Sequence, residues 1–486
     1  MSVRDLRPLL CPRSVAVVGA SPSSRVGLNM VRNLLQLGFD GPIYPVNPRY
    51  DEVAGLRCYP SLTAIPAEVE AVVVGVAARY VLPTIEEAVA KGVRAATIAT
   101  VGFGEAGEEG RARQRALQAL ATRHGLLLNG PNCMGLISFA HHQAQYIGNV
   151  PTDLPAGRIA AVCQSGSVAI GLMMSGRLGL SYLISSGNEA DVTLEEYLAY
   201  LVEDDAAEVL LAFVEGFRRP DLFLDVAERA RERRKPLVVL KVGRSAPSAA
   251  AALAHTGARA GSAADFDAVC RQKGVIRAGD LDELIEAGVL CAALRERPPG
   301  GPGVGTLTAS GGLLGLVLDL AEEAGLHYPP LAAATRARLA EVLPPGSTVG
   351  NPLDAWGTGD VQQTYPPCLA ALAADAAIDL IAVCQDAPAR SGGGRTAMSV
   401  AAALAALREQ TDKPLVVFTS VGGAVDAEAE AALAAAGIPL LRGARPSIRA
   451  LAEVVRYYAR GSDGVSVLSS EDAAALDRFC APPDDE

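Results

Sequence analysis

The sequence predicts an α/β protein made of three doubly wound, parallel-sheet units. Three observations carry that prediction. Short apolar runs that end in glycine or a small polar residue alternate with helical patterns along most of the chain. A strand–Ser-Gly–helix pattern occurs twice, with the same companions in the same order. The plainest break, Pro298-Pro299-Gly300-Gly301-Pro302-Gly303, falls between the two copies. At 486 residues the chain is too long for a single core.

In chain order, residues 14–19 (SVAVVG) read as a buried parallel strand, followed by a Ser-rich turn and a helix over 27–37. Residues 43–46, 71–76 and 95–100 read as further strands, with helical patterns between them such as 81–91. Residues 1–140 are thus expected to form a Rossmann-like domain. Periodicity fades from 141 to 157, where Pro151 and Pro155 stand, and this stretch reads as a linker. A second unit over 158–297, a linker over 298–303, a third unit over 304–465 and a C-terminal segment over 466–486 complete the layout, with a frayed acidic end.

Units two and three read as copies. Ser165-Gly166 matches Ser310-Gly311, Gly187-Asn188-Glu189-Ala190-Asp191 matches Gly350-Asn351-Pro352-Leu353-Asp354, and RKPLVVLKVG from Arg234 matches DKPLVVFTSV from Asp412. Two homologous flavodoxin-like domains are expected.

A net charge of −11 argues against nucleic acid as a partner, because phosphate backbones need clustered Lys and Arg. The nine cysteines are scattered without a C-x-x-C pair, so neither a disulfide framework nor a zinc site is expected, and no other metal site of the chain's own. The first residues lack a signal-peptide layout, and no apolar run reaches the roughly 20 residues of a membrane span. A soluble cytoplasmic protein without membrane partners is expected.

Four constellations could carry chemistry. Residues 19–23 (GASPS) form a small-residue turn into a helix, which presents backbone N–H groups to an anion or is a plain structural turn. Gln164-Ser165-Gly166-Ser167 makes a second strand-to-helix turn, either an anion cradle or simple N-capping. His255, in Ala254-His255-Thr256-Gly257-Ala258, differs from the other four histidines in having only small neighbours that leave its ring accessible. Glu215 directly follows an apolar strand, where a carboxylate must be paired or working, or else sits at a sheet edge as a helix-start acid. Unit three has no histidine where His255 would map, and its carboxylate position falls near Asp386.

The segments SVAVVGASPSSRVGLNMVRNL, IYPVNPRYDEVAGLRCYPSL, VGFGEAGEEG and NGPNCMGLI resemble the CoA-binding domain of NDP-forming acyl-CoA synthetases, and more distantly that of succinyl-CoA synthetase α subunits. The resemblance implies that Gly19, Ser21 and Arg25 hold the CoA phosphates, and that Val46, Asn47 and Pro48 face the adenine nucleotide. Gly102 and Phe103 would lie near the pantetheine arm, with Asn132 and Cys133 near its thiol end. Arg49 stands where the family usually has Lys, keeping the charge but as a planar fork. Cys133 is expected to pack rather than react. The resemblance further implies that His255 is the phosphoryl acceptor, that Glu215 accepts the Nδ1–H of its ring, and that the 164–167 turn cradles the phosphoryl group. Ala254 replaces the family's Ser beside the histidine.

Fused members of that family carry an ATP-grasp module, of which this sequence shows no trace. The resemblance therefore implies a separate ATP-grasp β subunit in a hetero-oligomer, with Mg²⁺ and ADP or ATP on that partner and CoA as substrate here. Two rival readings stand beside it. A CoA sensor or scaffold without catalysis is opposed by His255, Glu215 and the 164–167 turn all being intact. A nicotinamide oxidoreductase would need a complete glycine fingerprint and an acid after the second strand, where Asn47-Pro48-Arg49 stands instead.

Overall fold

The computed structural model describes residues 3–248, 250, 262–356, 360–389, 394–460 and 470–480. They divide into two bodies, one of residues 1–275 with 465–486 and one of residues 276–464.

Among the described residues the first body holds two large sheets and a small two-stranded one, Glu52–Val53 with Leu56–Arg57. One large sheet has five parallel strands in the order Ile43–Val46, Val15–Val18, Ala71–Val74, Ala95–Ile98 and Leu127–Asn129. Its three central strands are buried at every residue, the expected state when helices cover both faces. Strands one and three are neighbours, so the chain reverses its winding there, and a ligand crevice belongs at their carboxyl ends. Gly19 occupies that point with φ +90°, and a Cβ on it would lie 2.6 Å from the Gly75 carbonyl oxygen. Only glycine fits so close a crossing.

The other sheet runs Leu237–Lys241, Val209–Val214, Ile159–Cys163 and Leu180–Ser185, all parallel. Two antiparallel strands, Gly135–Ser138 and Gln143–Tyr146, continue it beyond Leu180–Ser185. This corrects the expected layout: residues 135–138 belong to the second sheet, and the expected linker 141–157 contains a fully buried strand. Its glutamines are buried because Gln143 Nε2 donates to the Leu9 and Leu10 carbonyls and Gln145 Nε2 donates to the Leu9 carbonyl at 2.8 Å. The C-terminal helix Ser470–Cys480 also belongs to this body rather than standing apart. Phe479 packs 5.1 Å from Phe217, and Arg478 pairs with Asp265 on the helix Ala263–Lys273.

The second body has one sheet, ordered Leu353–Asp354, Val304–Thr308, Leu380–Cys384, Leu415–Phe418 and Leu440–Leu441. That order matches the parallel part of the preceding sheet, as the repeat predicts. The helix Leu281–Leu294 packs in this body on Ala444–Ala459, with an Arg449–Glu283 ion pair at 3.3 Å. The proline–glycine break at 298–303 therefore lies within the second body, and the division falls earlier, at 275/276. No helix among the described residues is long and apolar enough to cross a membrane. Among the same residues no cluster of His, Cys, Asp and Glu could hold a metal ion.

Candidate active site

Two loops at the carboxyl end of the first sheet gather the residues expected at the CoA phosphates and adenine nucleotide. Ser24 caps the helix Arg25–Gln36 by accepting from Gly27 N at 3.3 Å, which frees the Ser21 and Ser23 hydroxyls for other work. Those hydroxyls lie 3.0 Å apart, and Ser23 Oγ is 3.1 Å from the Tyr50 hydroxyl. Hydrogen bonds from Ser21 and Ser23 lower the Tyr50 phenol pKa. Tyr50 escaped sequence reasoning because a lone tyrosine after Arg49 carries no pattern of its own. Asn47 ties the two loops together, its Nδ2 donating to the Ala20 carbonyl at 2.8 Å and its Oδ1 accepting from Arg49 N. Arg25, Pro48 and Arg49 are exposed, while Val46 is buried beneath them.

The expected pantetheine loop is organised by Glu105. Its Oε1 accepts from Gly102 N at 2.5 Å and Phe103 N at 3.2 Å. Gly102 takes φ +100°. The Phe103 ring, by contrast, is 2 % exposed inside the first sheet's core, so only the backbone of that residue can meet a ligand. Cys133 is equally buried, donates to the Ile98 carbonyl, and burial pushes its thiol up to about 12. A buried thiol held protonated is a poor nucleophile.

In the second sheet the strands Ile159–Cys163 and Val209–Val214 pair with Cys163 beside Phe213, which sets the 164–167 turn next to Glu215. Gln164 Oε1 accepts from Glu215 N at 2.6 Å and Gly216 N at 3.1 Å. Its Nε2 donates to the Gly216 carbonyl and to both oxygens of Glu189. The Gln164 amide is thus spent on shaping the Glu215 turn. A direct phosphate contact through its side chain is replaced by this positioning. Ser165 behaves differently. It is the N-cap residue of Gly166–Met174 but makes no side-chain cap, so its hydroxyl and that of exposed Ser167 stand at a positive helix end. Glu215 itself is 8 % exposed. His255, with Ala254 and Gly257, lies outside the described residues.

Beneath this turn lies a buried ionic hub that sequence reasoning missed. Glu189 accepts from Ser186 Oγ at 2.8 Å and Leu194 N at 3.1 Å, besides Gln164. Arg218 Nε donates to it at 3.1 Å, and Arg218 N donates to Glu195 Oε1 at 2.8 Å. Burial and the nearby Glu195 charge raise the Glu189 pKa, with the Arg218 charge opposing them. Gln164 and Arg218 lie 25 and 29 residues from Glu189 in sequence, so no local motif could announce the hub.

Comparison with known proteins gives this geometry a family. Residues 13–138 match the model of a CoA binding domain, and residues 156–291 match a succinyl-CoA ligase like flavodoxin domain. Acetate–CoA ligase [ADP-forming] I subunit alpha of Pyrococcus furiosus is 33 % identical over 469 residues, covering 93 % of this chain and 98 % of that protein. The chain belongs to the ADP-forming acetate–CoA ligase family. A second family member, acetate–CoA ligase [ADP-forming] I of Archaeoglobus fulgidus, is 34 % identical over 453 residues, and the match covers 92 % of this chain. The chain spans 63 % of that protein's length and 57 % of its counterpart II from the same organism. Among solved structures of the family, the dinucleotide forming acetyl-coenzyme A synthetase 1 of Ca. Korarchaeum cryptofilum, in complex with phosphate and ADP, matches with a TM-score of 0.81. It is 30 % identical, and the match covers 98 % of each chain.

Proposed function

We propose that this chain is the CoA-handling, phosphohistidine-carrying subunit of an ADP-forming acyl-CoA synthetase. The observation that carries the reading is the pairing of two adjacent strand ends. One bears Ser165 with an uncommitted hydroxyl at a helix N-terminus, and the other bears Glu215 fixed by Gln164. Such a helix end favours a phosphoryl group. The near full-length match to a Pyrococcus protein named as an alpha subunit supports the same role.

In this reading phosphate attacks the acyl carbon of acyl-CoA, the thioester C–S bond breaks, and CoA leaves as the thiol. The 102–103 loop lies along CoA and the Ser21 and Ser23 hydroxyls hold its phosphates, with Arg25, Asn47 and Arg49 nearby. His255 Nε2 then attacks phosphorus of the acyl phosphate, the carboxylate leaves, and Glu215 holds the opposite ring nitrogen and offsets the imidazolium charge. The phosphoryl group passes to a nucleoside diphosphate on a separate ATP-grasp β subunit, where Mg²⁺ would also bind. The relative from Pyrococcus, named as one subunit of a larger assembly, supports that division. A cytoplasmic location fits these substrates.

The test is the first half-reaction. The purified chain with acetyl-CoA should release free thiol only when phosphate is added. Release independent of phosphate would mean plain thioester hydrolysis and would overturn the reading, and no release with acetyl-, propionyl- or aryl-CoA would leave only a CoA-binding scaffold.

A further inference from the structure

One residue touches both halves of the proposed site. Asn188 is 6 % exposed and sits in the loop between the strand Leu180–Ser185 and the helix Leu194–Leu201. Its Nδ2 donates to Glu105 Oε2 at 2.6 Å and to Gln114 Oε1 at 3.2 Å. Glu105 Oε1 holds Gly102 N and Phe103 N, and Gln114 Oε1 holds Gly104 N at 2.9 Å. Both anchors of the expected pantetheine loop therefore converge on this amide. Asn188 Oδ1 accepts from Asn132 Nδ2 at 3.2 Å, at the expected thiol end, and Asn188 N donates to the Pro131 carbonyl.

The same residue reaches the phosphoryl side through its backbone. Arg218 Nη2 donates to the Asn188 carbonyl at 2.9 Å while its Nε holds Glu189, which holds Gln164, which fixes Glu215 N. Gly187 lets the loop approach closely: it takes φ +61°, and a Cβ there would lie 2.4 Å from the Pro131 carbonyl oxygen. The matching Asn351 of the second body does nothing comparable. Its Oδ1 accepts from Thr306 N, and its Nδ2 donates to the Val304 and Pro329 carbonyls, all backbone groups.

We propose that Asn188, with Glu105, is a positioning pair that holds the thiol end of the CoA site in register with the turn bearing Glu215. The inference rests on the proposed function and adds to it the residues that align its two subsites. Attack on the thioester and transfer to the histidine use the same phosphorus within one site. A small shift of one loop against the other would therefore misplace the reacting atoms without abolishing either subsite.

The test uses the whole chain with CoA as the binding probe and phosphate-dependent thiol release from acetyl-CoA as the activity. Asn188→Ala should weaken CoA binding about tenfold, the scale of a lost hydrogen bond to a charged group. It should lower kcat by about a hundredfold, with KM for phosphate kept within about twofold. Glu105→Gln, which sets two amide donors face to face, should move both quantities the same way by less. The double variant Glu105→Gln/Asn188→Asp restores a donor–acceptor pair and should recover most of the activity. Wild-type CoA affinity and kcat in Asn188→Ala would overturn the inference. So would a fall in thermal stability that accompanies equal losses in every parameter and is not recovered by the double variant. A wild-type chain that binds no CoA would overturn the functional reading itself.

Discussion

The two copies of the repeat share a strand order and a Ser-Gly turn, yet they spend their polar residues differently. In the first copy Gln164 and Glu189 build a buried network under the Glu215 turn, and Ser165 leaves its helix uncapped. In the second copy Ala309 stands opposite Gln164 and Pro352 opposite Glu189. Ser310 caps its own helix by accepting from Leu313 N at 3.2 Å. Asp386, near the position of Glu215, is taken by Ser420, whose N donates to one carboxylate oxygen and whose Oγ donates to the other. The second copy uses these groups to close its own backbone. In the first copy the Ser165 hydroxyl and Glu215 stand instead at two adjacent strand ends, and under the proposed function this is the copy that carries the chemistry.

The comparison breaks most sharply at Gln164. Gln164→Ala should lower stability by about 3 kcal/mol, because it strands the buried Glu215 and Gly216 amides and removes the Nε2 donor from the Glu189 carboxylate. Chemical denaturation would measure this, and a loss below about 0.5 kcal/mol would show that the hub is not essential to the turn.

Glu189→Gln sharpens the electrostatic side. The folded protein raises the pKa of this carboxyl above its usual 4.5, so folding favours the protonated form. Its contribution to stability is therefore fullest at acid pH and is lost as pH rises from the usual value through the raised one. The neutral variant escapes that loss, and its stability relative to wild type should rise with pH by on the order of 1 kcal/mol. Melting curves at a series of pH values would check this, and a difference that falls with rising pH would contradict the assignment.

In the second copy, Asp386→Ala should cost about 1 kcal/mol through the lost Ser420 bonds and leave phosphoryl uptake by the chain intact. Loss of uptake would mean that both copies take part in the chemistry. The smallest effect is at Cys133. Its thiol, pushed up to about 12 by full burial, should react with iodoacetamide more slowly in the native chain than that of the partly exposed Cys11, as peptide mass spectrometry would show.

Much of the fold was legible because apolar strand runs and small-residue turns are local signals. The strand 15–18, the repeat and the identity of the 164–167 turn needed no tertiary information. The strand Gln143–Tyr146 was missed because its alternate residues are glutamines, whose burial depends on carbonyls more than 130 residues away. The division at 275/276 was missed for a similar reason, since the helix Leu281–Leu294 belongs with a helix that begins at Ala444. Within the site, Glu215 stood out by following an apolar strand. Asn188, Glu105 and Glu189 did not, because each gains its meaning from partners 25 to 83 residues distant.

The central claim, that the first copy carries the phosphoryl chemistry, is tested most directly by phosphoryl transfer to the chain from labelled acyl phosphate. Wild type should acquire an acid-labile, base-stable phosphate that maps to the peptide holding His255, and His255→Ala should acquire none. Labelling that survives in His255→Ala, or that maps to the second body, would contradict the account.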